Sequence, residues 1–473
     1  MEDLPRHTKI VATLGPASRS PEILRQMILA GMSVARINFS HGDHEEHRRA
    51  IADLRTAASE LDRPVTLLQD LQGPKIRVGR LPGDQCALQS GKTVTLVPEA
   101  EYRDGPGTIP VDYLHAAADA KPGMTVLLAD GAFELTIEKV SLPALHCRVV
   151  EGGILKSRKG VNFPQVSLQL PALTEKDKQD IEFGLTQKVD WLSLSFVRSA
   201  RDIRSLKEFL ASKGARKPIL AKIEKPQAIE HLEEILDEVQ GVMVARGDLG
   251  VEMSPEKVPM LQKRIIELCN RRGLPVITAT QMLESMIAQP RPTRAEASDV
   301  ANAIIDGTDA VMLSGESAVG AFPVRAVEMM ARIATDVEAK IEFRNYPPAG
   351  TTETHALSQA VNVLEKAVRP RCIVVFTASG HTARFVAAER SRAPVIALTP
   401  SPDVYHALNL FWGIRPLLVS ETSDTFEGLT RLMEKTLIAR GLASAGDRVL
   451  MVGGIPAQRA GGTNFIKIHM LGS

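Results

Sequence analysis

The sequence predicts an α/β fold built on a TIM-type (β/α)8 barrel, with a small β domain inserted into it and a further α/β domain after it. Three observations support this fold class. Short apolar runs typical of buried strands alternate with amphipathic helical patterns. A long glycine-punctuated stretch separates the third run from the fourth. The chain also has 473 residues, more than one hydrophobic core usually serves, which predicts two or three domains.

Eight apolar runs predict the barrel strands, which we assign to residues 1–71 and 169–344. The runs are 10–14, 34–37, 65–68, 191–194, 219–223, 242–245, 276–279 and 310–313. Helix signals fall between them. Ser20-Pro21 opens a helix that Gly31 ends, and Phe322-Pro323 opens another that leads to Lys340.

The stretch between the third and fourth barrel strands predicts a separate β domain at 72–168, because frequent glycines divide short strand-like runs. A linker with two prolines and a glycine follows the barrel at 345–350, and further strand-like runs predict a C-terminal α/β domain at 345–473. The runs in the inserted domain are 93–97, 125–128 and 135–137, and those in the last domain are 373–376, 395–398, 416–419, 449–452 and 465–468.

Composition restricts the classes of function. A formal net charge of +1 gives no overall field that would attract nucleic acid or an anionic membrane. The four cysteines are scattered without C-x-x-C spacing, which favours a reducing cytoplasm over a disulfide framework. We find no stretch of 18 uninterrupted apolar residues and no signal-like N-terminus, so we expect neither membrane spanning nor secretion.

The most informative stretch places an ammonium and two carboxylates on neighbouring strand ends. Lys222 and Glu224 lie at the end of the run 219–223, and Asp248 follows the next run, 242–245. In parallel sheets the chemistry lies at the carboxyl ends of the strands. Two carboxylates suit Mg²⁺, which fills its other positions with water and substrate phosphate. Taken singly, Glu224 could instead cap a helix and Asp248 a turn.

Polar and charged residues are concentrated at this end of the other predicted strands as well, and their motifs resemble those of the pyruvate kinase family over nearly the whole chain. The resemblance is carried by ARINFSHG, LQGPKIR, KGVNFP, SLSFVR, AKIEKPQA, VMVARGDLGVE and TATQMLESM, in the family's order. It implies a β-barrel lid, a C-terminal regulatory domain, a homotetramer, and transfer of a phosphoryl group from phosphoenolpyruvate to ADP, giving pyruvate and ATP.

The resemblance also implies residue roles. Glu224 and Asp248 would hold Mg²⁺ or Mn²⁺, and Lys222 would stabilise the transition state. Thr280 would lie beside the substrate, near the face of the enolate that is protonated. The other implied contacts are Arg36 and Ser195 with phosphoenolpyruvate, the backbone of Gly247 with its carboxylate, and Arg77, Lys159, Asn38 and His41 with the nucleotide. From the residues alone, Arg77 and Lys159 could equally be solvated surface charges.

The family's monovalent-cation site uses residues matching Asn38, Ser40, Asp70 and the carbonyl of Leu71. K⁺-dependent members carry Glu where this chain has Lys75. A lysine ammonium there could supply the positive charge that K⁺ otherwise provides. We therefore expect activity without K⁺.

A polar loop in the last domain follows a strand and precedes a helical pattern, a geometry that suits phosphate. It resembles the family's allosteric loop for sugar phosphates, and residues 459–464 would form an opposing loop. The expected effector residues are Thr377, Ser379, Gly380, His381, Thr382 and Arg384. An ordinary polar turn is the alternative.

Two other functions remain open from the sequence. One is a barrel enzyme that binds phosphoenolpyruvate or pyruvate through Mg²⁺ and makes or breaks a carbon bond, although that leaves the lid and its Arg77 and Lys159 unexplained. The other is a catalytically silent, metabolite-sensing homologue. Such a homologue would be expected to lack Lys222, Glu224, Asp248 or Thr280, and all four are present.

Overall fold

The computed structural model describes residues 6–472 apart from 113–118, 142, 165, 167–169, 344–351, 422 and 456–461. The strands are β1 (Lys9–Leu14), β2 (Val34–Asn38), β3 (Thr66–Asp70), β4 (Gln85–Leu88), β5 (Thr93–Pro98), β6 (Thr108–Val111), β7 (Thr125–Leu128), β8 (Phe133–Ser141), β9 (Ala144–Glu151), β10 (Gly153–Lys156), β11 (Val161–Asn162), β12 (Trp191–Leu194), β13 (Ile219–Ile223), β14 (Gly241–Ala245), β15 (Val276–Ala279), β16 (Ala310–Leu313), β17 (Ile373–Phe376), β18 (Val395–Thr399), β19 (Ile414–Leu418), β20 (Arg448–Gly453) and β21 (Phe465–Met470).

The α-helices of the described residues belong to the barrel and to the C-terminal domain. They are α1 (Pro21–Ala30), α2 (His44–Glu60), α3 (Glu175–Thr186), α4 (Ala200–Ser212), α5 (Pro226–Glu230), α6 (Leu232–Glu238), α7 (Arg246–Glu252), α8 (Val258–Arg272), α9 (Arg294–Ile305), α10 (Gly315–Ala318), α11 (Pro323–Glu338), α12 (Glu353–Val368), α13 (His381–Ala388), α14 (Pro402–Leu408) and α15 (Phe426–Ala439). Within the described ranges, no helix combines the length and apolar character that a membrane span needs.

Eight parallel strands close into the barrel in the order β1-β2-β3-β12-β13-β14-β15-β16, which confirms the predicted fold class. Each of the eight apolar runs became one of these strands. Strand β3 differs most, because it runs from Thr66 to Asp70 where 65–68 was predicted. The polar residues at the carboxyl end of β3 continue its pairing with β2, since Asn38 of β2 pairs in register with Asp70. The strand thus carries Asp70 to the carboxyl end of the barrel.

The starts and ends of the helices around the barrel agree with the capping signals in the sequence, with one exception. The Ser20 side chain accepts a hydrogen bond from the Ile23 amide at the start of α1, and Gly31 ends that helix with a φ of 115°. Between β13 and β14, however, the single predicted helical pattern forms two short helices, α5 and α6, that meet at His231. The apolar residues keep helical spacing through both short helices, so their pattern did not indicate the break at His231.

The inserted domain is a six-stranded sheet in the order β11-β7-β8-β9-β5-β6, with β10 and β4 paired beside it. The chain that enters the domain joins the two edges of this sheet: Val78 bridges to Val111 of β6, and Arg77 bridges to Gly160 just before β11. The first residues of the domain therefore pair with both edges of its sheet, next to the points where the domain joins the barrel. We call this domain the lid below.

The C-terminal sheet has the order β19-β18-β17-β20-β21, with only β21 antiparallel to its neighbour. Strand β19 begins at Ile414, two residues before the predicted run, because Ile414 pairs with Val395. This domain packs on the amino ends of the barrel strands, where Trp191 Nε1 donates to the Ala407 carbonyl at 3.2 Å. The carboxyl ends therefore face away from it. The predicted linker at 345–350 lies outside the described residues.

Candidate active site

Four charged side chains meet at the carboxyl ends of β2, β3 and β13. Arg36 reaches Asp70 Oδ2 through two nitrogens, with Nε at 2.8 Å and Nη2 at 2.5 Å. Lys222 Nζ lies 3.7 Å from Asp70 Oδ1 and 3.5 Å from Glu224 Oε2. Asp70 and Glu224 are buried, so solvent screens these charges little. Two cations are thereby fixed at the mouth of the barrel.

Burial and neighbouring charges shift the pKa values within this cluster. Burial raises the pKa of Glu224, the nearby Asp248 carboxylate raises it further, and Lys222 only partly opposes them, so that the pKa reaches about 7. Burial acts in the same direction on Asp70, but the Lys222 and Arg36 charges outweigh it and lower the pKa of that carboxyl. Burial alone would lower the pKa of Lys222, yet the three carboxylates together raise it. Lys222 is therefore a permanent cation.

The donor set suits a hard divalent cation. Glu224 Oε1 accepts a hydrogen bond from the Phe196 amide at 2.6 Å, whereas Oε2 is buried with no hydrogen-bond partner in the described part of the chain. Asp248 lies in the first turn of α7 and is close enough to influence the Glu224 carboxyl. Among the described residues, no group of three or more His, Cys, Asp or Glu could hold a metal. Two carboxylates completed by substrate oxygens and water fit Mg²⁺.

The backbone at the end of β15 is strained beside this cluster. Thr280 and Gln281 have φ values of 69° and 53°, a region that residues other than glycine seldom adopt. The turn brings Thr280 Oγ1 to 2.6 Å from the Gly247 amide, which donates to it. A Cβ at Gly247 would lie 3.3 Å from that hydroxyl. The geometry thus presents a hydroxyl close to the backbone at the amino-terminal end of α7.

Ser195 connects two parts of the site. Lys222 Nζ donates to Ser195 Oγ at 2.8 Å, and Ser195 Oγ in turn donates to the Leu71 carbonyl at 2.7 Å. Ser195 was predicted to touch the substrate, and its hydrogen bonds here are with protein groups. Its geometry fits a residue that orients the Lys222 ammonium.

The residues matching the monovalent-cation site lie at the ends of β2 and β3. Asn38 Oδ1 accepts from the Ser40 amide at 3.1 Å, and the Leu71 carbonyl accepts from Ser195. Lys75, three residues beyond Gln72, points to the lid, where its ammonium lies 3.7 Å from Asp130 Oδ1. The lysine therefore pairs with the turn between β7 and β8 of the lid, and its positive charge also acts on His41.

The expected nucleotide contacts lie where the lid joins the barrel. Arg77 donates from Nη1 to the Arg158 carbonyl at 3.1 Å, and Lys159 is exposed at the opposite junction. His41 is exposed on the barrel side, and its pKa is lowered first by desolvation and then by the charges of Arg77, Arg36 and Lys75. The positive charges of Arg77, Arg36 and Lys75 all act on the region around His41, so an anionic ligand would be favoured there.

In the C-terminal domain, the polar loop lies between β17 and α13. Thr377 Oγ1 accepts from the Gly380 amide at 2.8 Å, and Gly380 has a φ of 82°. Thr382 Oγ1 lies 2.5 Å from Thr463 Oγ1, which joins this loop to the end of the expected opposing loop. Residues 459–461 of that opposing loop lie outside the described residues. The geometry is that of a tight turn leading into a helix.

Two of the remaining expected effector residues, Ser379 and Arg384, line one cavity between the C-terminal domain and the barrel. Ser379 is exposed on the loop, and His381 has a pKa lowered by burial and then by the charges of Arg384 and His355. The Arg384 guanidinium lies 5.9 Å from the centre of the Phe411 ring, on the side that faces the barrel. Arg384 is thus placed at the junction of the two domains.

Sequence reasoning missed several residues that support the site. Thr13 Oγ1 accepts from Arg36 Nη1 at 2.9 Å, and Asp130 pairs with Lys75. Glu252 accepts from both Lys225 Nζ at 2.5 Å and Asn162 Nδ2 at 2.6 Å. Glu252 and Lys225 belong to motifs that were recognised, but no pattern in the sequence indicates that they touch.

Comparisons with known proteins agree with this architecture. The pyruvate kinase barrel-domain model matches residues 5–327, and the pyruvate kinase alpha/beta-domain model matches residues 355–469. The chain is 48% identical to pyruvate kinase 2 of Synechocystis sp. over 99% of this chain and 80% of that protein. It is 44% identical to the pyruvate kinase of Geobacillus stearothermophilus, with coverage of 98% and 80%, and 41% identical to that of Clostridium acetobutylicum, with coverage of 98% and 99%. The chain therefore belongs to the pyruvate kinase family, phosphotransferases that act on phosphoenolpyruvate and ADP.

Proposed function

We propose that the cluster of Arg36, Asp70, Lys222 and Glu224 is where this chain carries out the last step of glycolysis, the transfer of a phosphoryl group from phosphoenolpyruvate to ADP. The observation that carries the proposal is the pair of fixed cations beside a buried carboxylate with a free oxygen. Phosphoryl transfer depends mainly on alignment and on neutralising charge on the equatorial oxygens. Because Asp70 and Ser195 hold both cations, little reorganisation is needed when the substrate binds.

Each residue of the site has a defined task in this proposal. Glu224 and Asp248 hold a divalent cation, Mg²⁺ or Mn²⁺, which when bound neutralises phosphate and carboxylate oxygens of the substrate. Arg36 and Lys222 bind the transferred phosphoryl group, and the Gly247 backbone approaches the substrate carboxylate. The Thr280 hydroxyl, which accepts from the Gly247 amide and donates to the Ala279 carbonyl, each at 2.6 Å, has the task of donating a proton to the enolate or orienting a water.

We extend the proposal to the domains and the nucleotide. The barrel at 1–71 and 169–344 binds phosphoenolpyruvate, the lid at 72–168 covers it, and 345–473 forms the regulatory domain. ADP binds between barrel and lid, where Arg77, Lys159, Asn38 and His41 contact its phosphates. Support comes from the charges of Arg77, Arg36 and Lys75, which add to desolvation in lowering the pKa of His41. Closing the lid would exclude water from the transfer.

We expect pyruvate to form rapidly from phosphoenolpyruvate and ADP with Mg²⁺ in rigorously K⁺-free buffer, because Lys75 supplies a fixed positive charge near Asn38, Ser40, Asp70 and Leu71. Lys75→Glu should make the activity depend on added KCl, and Lys92→Glu, an exposed change in the lid, is the control. A wild-type rate that collapses without K⁺ and returns with KCl would contradict only the K⁺ proposal. No turnover with either salt, despite ligand binding, would favour a sensor.

We also propose that a phosphorylated effector, a sugar phosphate or nucleotide, binds the loop of Thr377, Ser379, Gly380, His381 and Thr382. The exposed Ser379 should contact its phosphate, with Arg384 acting at the domain junction behind the loop. Ser379→Glu should abolish activation by repelling that phosphate while leaving the basal rate unchanged. The measurement is the dependence of rate on phosphoenolpyruvate with and without added sugar phosphates and nucleoside monophosphates. Activation that survives in Ser379→Glu would refute the site.

We further propose that the chain forms a homotetramer in the cytoplasm. The family resemblance implies a homotetramer, which sedimentation velocity would test against a monomer or dimer. All four cysteines are free thiols in the described structure, which supports a cytoplasmic location, and fractionation of cells that produce the chain would test it.

A further inference from the structure

Glu252 joins three separate segments of the chain around one carboxylate oxygen. It is the last residue of α7 and is buried, and its Oε1 accepts from Lys225 Nζ at 2.5 Å and from Asn162 Nδ2 at 2.6 Å. Lys225 follows β13, and Asn162 belongs to β11 of the lid. Charge-assisted hydrogen bonds of this length are strong, and burial makes the loss of one partner costly.

The three segments are those that carry the proposed metal ligands and one nucleotide contact. Lys225 directly follows Glu224, and Asp248 lies one helical turn before Glu252 on α7. Asn162 comes three residues after Lys159. A shift of the Glu252 carboxylate would therefore move the segments that bear Glu224, Asp248 and Lys159 relative to one another.

Further contacts join the same segments. The Lys225 ammonium lies 5.7 Å from the centre of the Phe196 ring, and the Phe196 amide is the donor to Glu224 Oε1. On the lid side, Gly131 approaches α7 so closely that a Cβ there would lie 3.7 Å from the Val251 side chain. The lid thus contacts the last turn of α7 through the Asn162–Glu252 hydrogen bond, and Gly131 lies beside the neighbouring Val251.

We propose that Glu252 is a positioning residue that couples the lid to the metal site. Its carboxylate fixes the spacing of the segments that carry Glu224 and Asp248, and it holds Asn162 so that the lid stays over the nucleotide site. The inference rests on the proposed function, because it assumes that Glu224 and Asp248 bind the metal and that Lys159 binds the nucleotide. Residues hydrogen-bonded to metal ligands typically contribute about 10- to 100-fold to metal affinity, and Glu252, which bonds to Lys225 and not to a ligand itself, is expected at the lower end of that range.

The test compares Glu252→Gln with Asn162→Ala and with the control Glu256→Gln, an exposed residue one turn further along the chain. Mn²⁺ binding without nucleotide, followed by electron paramagnetic resonance, should weaken about tenfold in Glu252→Gln and stay unchanged in Asn162→Ala. The KM for ADP should rise in both variants. The double variant should be no worse in KM than Glu252→Gln alone, because Asn162 acts through Glu252.

Several outcomes would overturn the inference. Mn²⁺ affinity and ADP KM in Glu252→Gln that equal those of Glu256→Gln would do so, as would fully additive effects in the double variant. If Glu252→Gln does not fold, Lys225→Met removes the same ion pair from the other side and should give the same weakening of Mn²⁺ binding. Failure of the wild-type protein to bind Mn²⁺ or to form pyruvate would instead refute the proposed function itself.

Discussion

Replacing Lys222 by methionine is expected to lower kcat for pyruvate formation by about 10³-fold, with a much smaller effect on the KM for ADP. The ammonium is fixed by Ser195 and flanked by Asp70 and Glu224, so it meets the phosphoryl group without reorganising. Removing one such preorganised donor typically costs about 10²–10³ in rate, and this donor also carries a full charge. Initial-rate kinetics with both substrates varied would measure the change.

The control for Lys222→Met is Lys217→Met, because Lys217 lies just before β13, at the other end of the same strand. Its kcat should stay within a factor of two of wild type, an allowance of about 0.4 kcal/mol in barrier. Loss of the Lys222 ammonium leaves two buried carboxylates with less compensation, so the thermal unfolding of each variant must be recorded as well. A folded Lys222→Met protein that keeps more than a tenth of the wild-type kcat would contradict the proposed role.

The barrel could be predicted from the sequence because parallel strands buried on both faces read as continuous apolar runs. All eight runs lie in the closed barrel. The bounds of strands and helices were predicted less well where polar residues extend a strand or where helical apolar spacing continues past the end of a helix. Asp70 belongs to β3 because Asn38 of β2 and Ser193 of β12 both pair with it, which depends on neighbouring strands. His231 interrupts a pattern that reads as one helix.

The site was predictable to the extent that it follows from topology. Lys222, Glu224 and Asp248 lie on adjacent strand ends, so their proximity follows from the parallel sheet alone. Contacts between segments far apart in sequence could not be predicted, because no local sequence pattern indicates them. Asn162 and Glu252 are 90 residues apart in sequence, and Lys75 meets Asp130 only because the lid's own fold brings its first residues to the turn between β7 and β8. The roles assigned to individual site residues remain predictions that the experiments above test.

The second large effect concerns Glu224 and pH. The pKa of its carboxyl rises from an ordinary value of 4.5 to about 7 in the folded, metal-free protein, mainly through burial. Between these two values the folded state holds a proton that the unfolded state has released, so stability falls as pH rises through this window. A difference of that size corresponds to about 3 kcal/mol. Metal-free wild-type protein should therefore lose thermal stability from pH 5 to pH 8, and Glu224→Gln should lose less.

Metal binding should show the opposite dependence on pH, since the cation needs the ionised carboxylate. Mn²⁺ affinity of the wild-type protein should rise about tenfold from pH 6 to pH 8, because ionisation at a pKa near 7 increases by that factor. Glu224→Gln should bind Mn²⁺ weakly at both values and show negligible activity, whereas Glu230→Gln, an exposed control in α5, should behave as wild type. Wild-type affinity that is flat across this range would mean that Glu224 is already ionised at pH 6. Equal Mn²⁺ affinity in wild type and Glu224→Gln would remove Glu224 from the metal site altogether.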